Sequence, residues 1–347
     1  MARKTMLLGL IFLLMSACQA RSGPPYEIIY TLNKGTEAPS QERSSAAPKP
    51  RIALVAKGID IPYFIYAGEG AKQAGNDLGV DVIYAGPKTA GASGQIQVIE
   101  ELIRQKVDMI AVSAADPDKL LTVLRQARAA GIRVITWDAD TQSSGREFFV
   151  NMADPETVGR HLMDLLAGAM GDKGSFAVMT GSESAANAGE WLRWIRIQQQ
   201  EYYPAMKLVE VASIDEDPVK AKLAARRLLS AYPDLGGMIG ISSVVPPAAA
   251  EALEEAGRQG KVKLTGLSNP LLMSPYLKRD TAQTATLWSP KKLGYLTIAM
   301  GNNLLNGIPP ADGQNIPGVG KIRMSGNTVV MGEPLDFTKE NVDEYDF

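Results

Sequence analysis

From residue 51 onward the hydrophobic pattern of the chain alternates between two periods. Short runs such as "RIALVA", "VDVIYAG", "VDMIAVS" and "IRVITWD" are almost wholly apolar, the signature of strands covered on both faces. Between them lie longer stretches with helical spacing. In "SGQIQVIEELIRQK", Ile96, Ile99, Leu102 and Ile103 fall on one side. The alternation restarts with "PETVGRHLMDLLAGAMG", where Val158, Leu162, Leu165 and Leu166 form a stripe, and continues through "SFAVMTG", "KLVEVAS", "GGMIGIS" and "VKLTGLS". Asp116-Pro117, Asp154-Pro155 and Asp217-Pro218 each read as a helix start, because aspartate accepts from free N–H groups and proline fits the first helical position. Gly131 and Gly171 read as helix stops. The fold class expected is α/β, with two Rossmann-like, doubly wound lobes.

In such sheets ligands bind outside the carboxyl ends of the strands. That rule selects Lys57 after "RIALVA", Ser113 after "DMIAV", Asp138 after "VITW", the stretch "GSESAANAGEW", and Ser242-Ser243 after "GGMIGI". "VITWDAD" poses the sharpest question, since a carboxylate at the end of a buried strand is costly without hydrogen-bond donors. Asp138 is read as the ligand carboxylate and Asp140 as a turn or salt-bridge residue. Strand alternation turns Trp137 away from Asp138 and into the core. Tyr63, Phe64 and Trp288 are candidates for an aromatic wall, because aromatic rings pack the apolar face of a small ligand while its polar groups need polar partners.

The amino terminus breaks the pattern. Arg3 and Lys4 precede an apolar run from Met6 to Met15 and then small residues, which is a secretory signal too short to be a comfortable membrane span. "MSAC" resembles a lipobox, so residues 1–17 are expected to be a lipoprotein signal peptide, with Cys18 lipidated at the new terminus. Residues 18–49, rich in Ser, Pro and Ala, read as a flexible tether, with "YEIIYTL" as a possible short strand inside it. The expected location is exported and periplasmic, anchored to a membrane at Cys18.

Composition narrows the chemistry. The net charge of −2 and the lack of a basic stripe argue against nucleic acid as a partner. One cysteine and one histidine exclude a Cys/His metal cluster and an intramolecular disulfide. That histidine, His161, lies in a helical pattern and reads as a helix-surface residue. There is no GxxxxGK[ST] loop and no GxSxG elbow, and "GEGAKQAG" lies within a helical stretch, so no cofactor is expected. A carboxylate-dependent glycosidase is the enzymatic alternative, but no second carboxylate is evident across the cleft from Asp138.

The ordered set "ALVAKGIDIPYFIYAGEGAKQAGNDLGVDVIYAGP", "GQIQVIEELIRQKVDMIAVSAADPDKL", "AGIRVITWDAD" and "FTKENVDEYDF" resembles type I periplasmic sugar-binding proteins, nearest the rhamnose-binding and autoinducer-2-binding branch. The resemblance spans residues 50–347. It implies two lobes joined by a three-crossing hinge: residues 50–151 with 289–315, and residues 152–288 with 316–347, the third crossing falling around 315–325. It implies a monomer that binds a small sugar or autoinducer-2 and delivers it to an ABC permease in the inner membrane, without catalysis. Lys57 and Asp138 match the lysine and aspartate of the autoinducer-2 branch. Asn187 and Ala188 stand where that branch has Asp-Gln, and Ile241 and Ser243 where it uses a proline and an alanine. An amide such as Asn187 both donates and accepts, which suits a sugar hydroxyl. The implied ligand contacts are Lys57, Asp138, Asn187, Tyr63, Phe64, Ser243, Trp288 and Ser113.

Overall fold

The computed structural model describes residues 26–30, 48–182 and 184–347; the signal, Cys18 and most of the tether lie outside them. In chain order the elements begin β1 (Tyr26–Tyr30), β2 (Arg51–Val55), α1 (Pro62–Leu78), β3 (Asp81–Pro87), α2 (Ala92–Arg104), β4 (Met109–Val112), α3 (Leu121–Ala129), β5 (Arg133–Trp137) and β6 (Phe149–Asn151). They continue α4 (Pro155–Met170), β7 (Gly174–Thr180), α5 (Ala186–Tyr202), β8 (Met206–Ser213), α6 (Pro218–Ala231), β9 (Leu235–Gly240), α7 (Val245–Glu255), β10 (Lys263–Leu267), α8 (Pro270–Lys278), β11 (Thr284–Leu287) and α9 (Pro290–Leu305). The chain ends with the short strands β12 (Asn315–Ile316), β13 (Gly320–Lys321), β14 (Arg323–Ser325), β15 (Thr328–Val330) and β16 (Leu335–Phe337).

Among the described residues two large sheets result, in the orders β1-β3-β2-β4-β5-β6-β15-β14 and β16-β11-β10-β9-β7-β8, and β12 and β13 form a separate two-stranded pair. The inner strands of both run parallel, and antiparallel pairs occur at the margins. The apolar runs cause this. Ile52, Leu54, Ile110 and Ile135 are fully buried, because helices cover both sheet faces. Each such side chain contributes about 1.5–3 kcal/mol of burial free energy.

The caps follow the sequence with one exception. Asp154 accepts from the Thr157 amide and Asp217 from those of Val219 and Lys220, each before an N-terminal proline. Asp116 also accepts from two amides, of Asp118 and Lys119, but the turn it closes is not yet helix, and α3 starts at Leu121.

Strand pairing bears out one sequence expectation, the short strand in "YEIIYTL", and corrects another. Tyr26–Tyr30, inside the supposed tether, pairs antiparallel with β3 as an edge strand. Residues 323–330, assigned to the second lobe, belong with the first: β15 pairs parallel with β6, and β14 pairs with β15. The third crossing is therefore at residues 331–334, beside the first. There the amides of Met331 and Gly332 donate to the carbonyls of Asn151 and Met152. The second crossing follows β11, after which α9 returns to lie on α1. The two helices approach so closely that a methyl group on Gly70 would sit 1.8 Å from the Lys291 carbonyl oxygen, and one on Gly294 1.9 Å from that of Ala67.

Candidate functional site

Strand order locates the site before any side chain is considered. In the first sheet β2 lies between β3 and β4, and in the second β7 lies between β8 and β9, so the winding reverses beside β2 and β7. Lys57 and Ser113 follow the first pair of strand ends, β2 and β4. Gly181 and Ile241–Ser243 follow the second, β7 and β9. The two sets face one cavity of about 420 Å³, lined by Lys57, Tyr63, Phe64 and Asp138 from the first lobe and by Asn187, Ala188, Trp191, Glu216, Ile241, Ser242, Ser243, Leu267, Leu287 and Trp288 from the second and its hinge.

Asp138 is 4% exposed and its backbone is left-handed, with φ 60°. A non-glycine residue in this region costs about 1–2 kcal/mol. Hydrogen bonds hold it there: the Asp138 amide donates to the Val150 carbonyl, and the Ala114 amide to that of Ala139. The turn aims the carboxylate out of the strand and into a ring of donors. The Ser113 hydroxyl donates to Oδ2 at 2.5 Å, and Lys57 Nζ lies 3.5 Å from the same oxygen. Trp288 Nε1 donates to the Tyr63 hydroxyl at 2.8 Å. Burial, the neighbouring Asp138 charge and a hydrogen bond to that carboxylate together raise the Tyr63 phenol well above its ordinary value, against the opposing effect of the Trp288 bond, so Tyr63 remains a donor. The buried carboxylate is thus satisfied by a built network.

The neighbouring carboxylate is committed elsewhere. Asp140 accepts from the Thr136 hydroxyl, the Thr141 amide and two nitrogens of Arg146, at 2.5–2.9 Å. It is the salt-bridge residue expected. Trp137 is fully buried, donates to the Val55 carbonyl and meets Phe64 edge to face at 5.7 Å. His161, half-buried on α4, pairs with Asp336 at 2.8 Å, and neither residue lines the cavity.

Seven of the eight sequence candidates line the cavity. Ser113 does not: it is fully buried and reaches the site through Asp138. Asn187 sits in the first turn of α5, where Oδ1 takes the Ala188 amide at 2.9 Å and Lys57 Nζ, across the cleft, at 3.4 Å. The aromatic wall is larger than expected. Tyr63 meets Phe64 and Trp288 edge to face, and Trp191 lies 5.9 Å from Trp288.

Sequence reasoning missed Glu216 altogether and gave Trp191 no role. Glu216 is a second carboxylate on the opposite lobe from Asp138, in the loop after β8. The strand-end rule would have found it had that strand been included. Asp215 and Glu216 both have positive φ, 50° and 56°. The loop is pinned on either side of them: the Ile214 amide donates to Thr180, and Asp217 caps α6.

Comparison with known proteins agrees with this geometry. The periplasmic binding protein domain matches residues 52–309. A D-ribose/D-allose-binding protein of Pseudomonas aeruginosa is 28% identical over 242 residues, 66% of this chain and 74% of that relative. An ABC transporter solute-binding protein from Clostridium phytofermentas, solved with bound L-rhamnose, superposes with a TM-score of 0.82 at 30% identity, covering 86% of this chain and 98% of the other. LsrB from Clostridium saccharobutylicum in complex with AI-2 shares the fold with a TM-score of 0.81 at 23% identity, covering 86% of this chain and all of that one, 100%. The chain therefore belongs to the periplasmic binding protein family, the type I sugar-binding solute receptors of ABC importers, and is a binding protein rather than an enzyme.

Proposed function

We propose that the cavity between the lobes takes one monosaccharide or deoxysugar, of the size and polarity of rhamnose, and presents it to the permease of an ABC importer in the inner membrane. The observation that carries this reading is the buried Lys57–Asp138 pair set against Tyr63, Phe64, Trp191 and Trp288 in a cavity of about 420 Å³. An ionised carboxylate only accepts, so it takes vicinal hydroxyls; the ammonium only donates, so it serves ring or carbonyl oxygens. The rings pack the apolar face of the sugar. Similarity to the L-rhamnose-bound receptor supports a deoxysugar in particular.

Autoinducer-2 is the alternative ligand, favoured by the same lysine and aspartate and disfavoured by Asn187 and Ala188. A thermal-shift screen of residues 48–347 against pentoses, hexoses, deoxyhexoses and autoinducer-2 separates them. A shift with a deoxyhexose or another monosaccharide supports the reading, and a shift with autoinducer-2 alone overturns it. The proposal places the receptor outside the cytoplasmic membrane, tethered by lipid at Cys18. Cys18→Ala should abolish labelling by a fatty-acid probe, and undiminished labelling would remove the anchor from this account.

A further inference from the structure

Counting charges around the cavity gives an imbalance. Three formally charged side chains line it: Lys57, Asp138 and Glu216. Lys57 and Asp138 face each other at 3.5 Å and offset one another. Glu216 has no such partner, since among the described residues no Lys, Arg or His nitrogen lies within 4.0 Å of its carboxylate. Its contact is the Ser242 hydroxyl, which donates to Oε2. A carboxylate has about four acceptor sites, so one hydroxyl leaves most of that capacity unused.

The position is built. The Glu216 amide donates to the Gly181 carbonyl at 3.2 Å, and a methyl group on Gly181 would sit 2.1 Å from Glu216 Oε1. Gly181 thus provides the space that the carboxylate occupies. Lys57 and Glu216 also both line a second hollow, together with Lys88, Lys119 and Asp217.

We propose that Glu216 is a further second-lobe ligand contact, accepting a hydroxyl or ammonium hydrogen of the bound sugar, and that its surplus negative charge makes the site discriminate against sugar acids. This rests on the sugar-binding reading above. The ligand class is then narrower: neutral polyhydroxylated sugars and amino sugars are admitted, while uronic acids and sugar phosphates meet an uncompensated carboxylate in a space of reduced dielectric, where like charges repel more strongly than in water.

The test is calorimetry on the wild-type protein, Glu216→Gln and Gly181→Ala. The probes are L-rhamnose, D-ribose and the isosteric set D-galactose, D-galactosamine and D-galacturonate. Wild type should bind at least one neutral sugar and bind D-galacturonate at least tenfold more weakly than D-galactose. Glu216→Gln should weaken the neutral sugar about tenfold and shrink the preference for D-galactose over D-galacturonate by tenfold or more. Gly181→Ala keeps the glutamate but displaces it, so it should reproduce the loss of affinity with an unchanged melting temperature. A neutral sugar bound equally by wild type and Glu216→Gln, or D-galacturonate bound as tightly as D-galactose by wild type, overturns the role of Glu216 and leaves the sugar reading intact. Binding of none of the five overturns both.

Discussion

The two lobes bring unlike kinds of polar group to the same cavity. The first lobe supplies Lys57 and Asp138, each 4% exposed, together with the buried Ser113 and Tyr63. They are bonded mainly to one another: Ser113 to Asp138, Lys57 to Asp138, and Tyr63 between Asp138 and Trp288. The second lobe supplies Asn187, Glu216 and Ser243, which are half-buried and stand on loops or at a helix start. The difference teaches a division of labour. If the cavity binds sugar as proposed, a network buried on rigid strand ends is organised before the ligand arrives, loses little entropy on binding and should carry most of the affinity. On the same proposal, loop-borne groups of the opposite lobe complete the site and should tune which ligand it accepts.

That contrast can be broken by mutation, and the largest effect is expected at Asp138. Asp138→Ala removes two charge-assisted contacts to ligand, about 1.5–3 kcal/mol each, and should weaken sugar binding a hundredfold or more. It also leaves Lys57 buried without its carboxylate, so the melting temperature should fall as well. Calorimetry and melting curves read the two effects separately.

Asp140→Ala should divide them. Arg146, 8% exposed, would lose its carboxylate, and stability should drop by about 3–5 kcal/mol in urea titrations while affinity changes by no more than a few-fold. A loss of binding without a loss of stability would mean that the two carboxylates have been assigned in the wrong order.

Tyr63→Phe sharpens the comparison within the first lobe. It deprives Trp288 Nε1 of its acceptor and Asp138 of a donor, and affinity should fall about tenfold, near 1–2 kcal/mol. Asn187→Ala tests the second lobe with a long, half-buried contact, and about 1 kcal/mol, a few-fold in affinity, is expected. If Asn187→Ala cost as much as Asp138→Ala, the division between the lobes would collapse.

The smallest effect lies away from the cavity. His161 is raised by its hydrogen bond to Asp336, against the opposing effect of burial. Burial pushes Asp336 up, but the bonds from His161 and Thr286 outweigh it and leave that carboxyl lowered. The histidine's contribution is complete below its unfolded pKa of about 6.5 and is lost as pH rises through the raised folded value. The aspartate's is present above about 3.9 and is lost as pH falls through its lowered value. The pair is therefore worth most between about pH 4 and 6.5, and its partial exposure limits it to about 0.2–1 kcal/mol. The melting temperature of His161→Gln should lie below wild type near pH 5.5 and converge with it toward pH 9.

By itself the sequence determined the parts that depend on local order. Apolar runs made the strands, Asp154 and Asp217 capped their helices, and the strand-end rule led to Lys57, Ser113 and Asp138, because burial and hydrogen-bond satisfaction act within a few residues of each position. It also separated Asp138 from Asp140 and turned Trp137 inward. The tertiary structure decided what depends on partners far along the chain. Thr328–Val330 is too short a run to declare its sheet, and its pairing with Phe149–Asn151 moved the third crossing. Asp116 bonds its amides as a cap would, yet the chain beyond it enters a turn before α3. Glu216 lies in a polar loop that resembles any solvated turn until Gly181 and Ser242 are folded against it. Hydrophobic periodicity is written residue by residue, but the meeting of Asp138 and Glu216 across one cavity, 78 positions apart in sequence, depends on how the strand ends of two lobes face each other, and no local pattern encodes that.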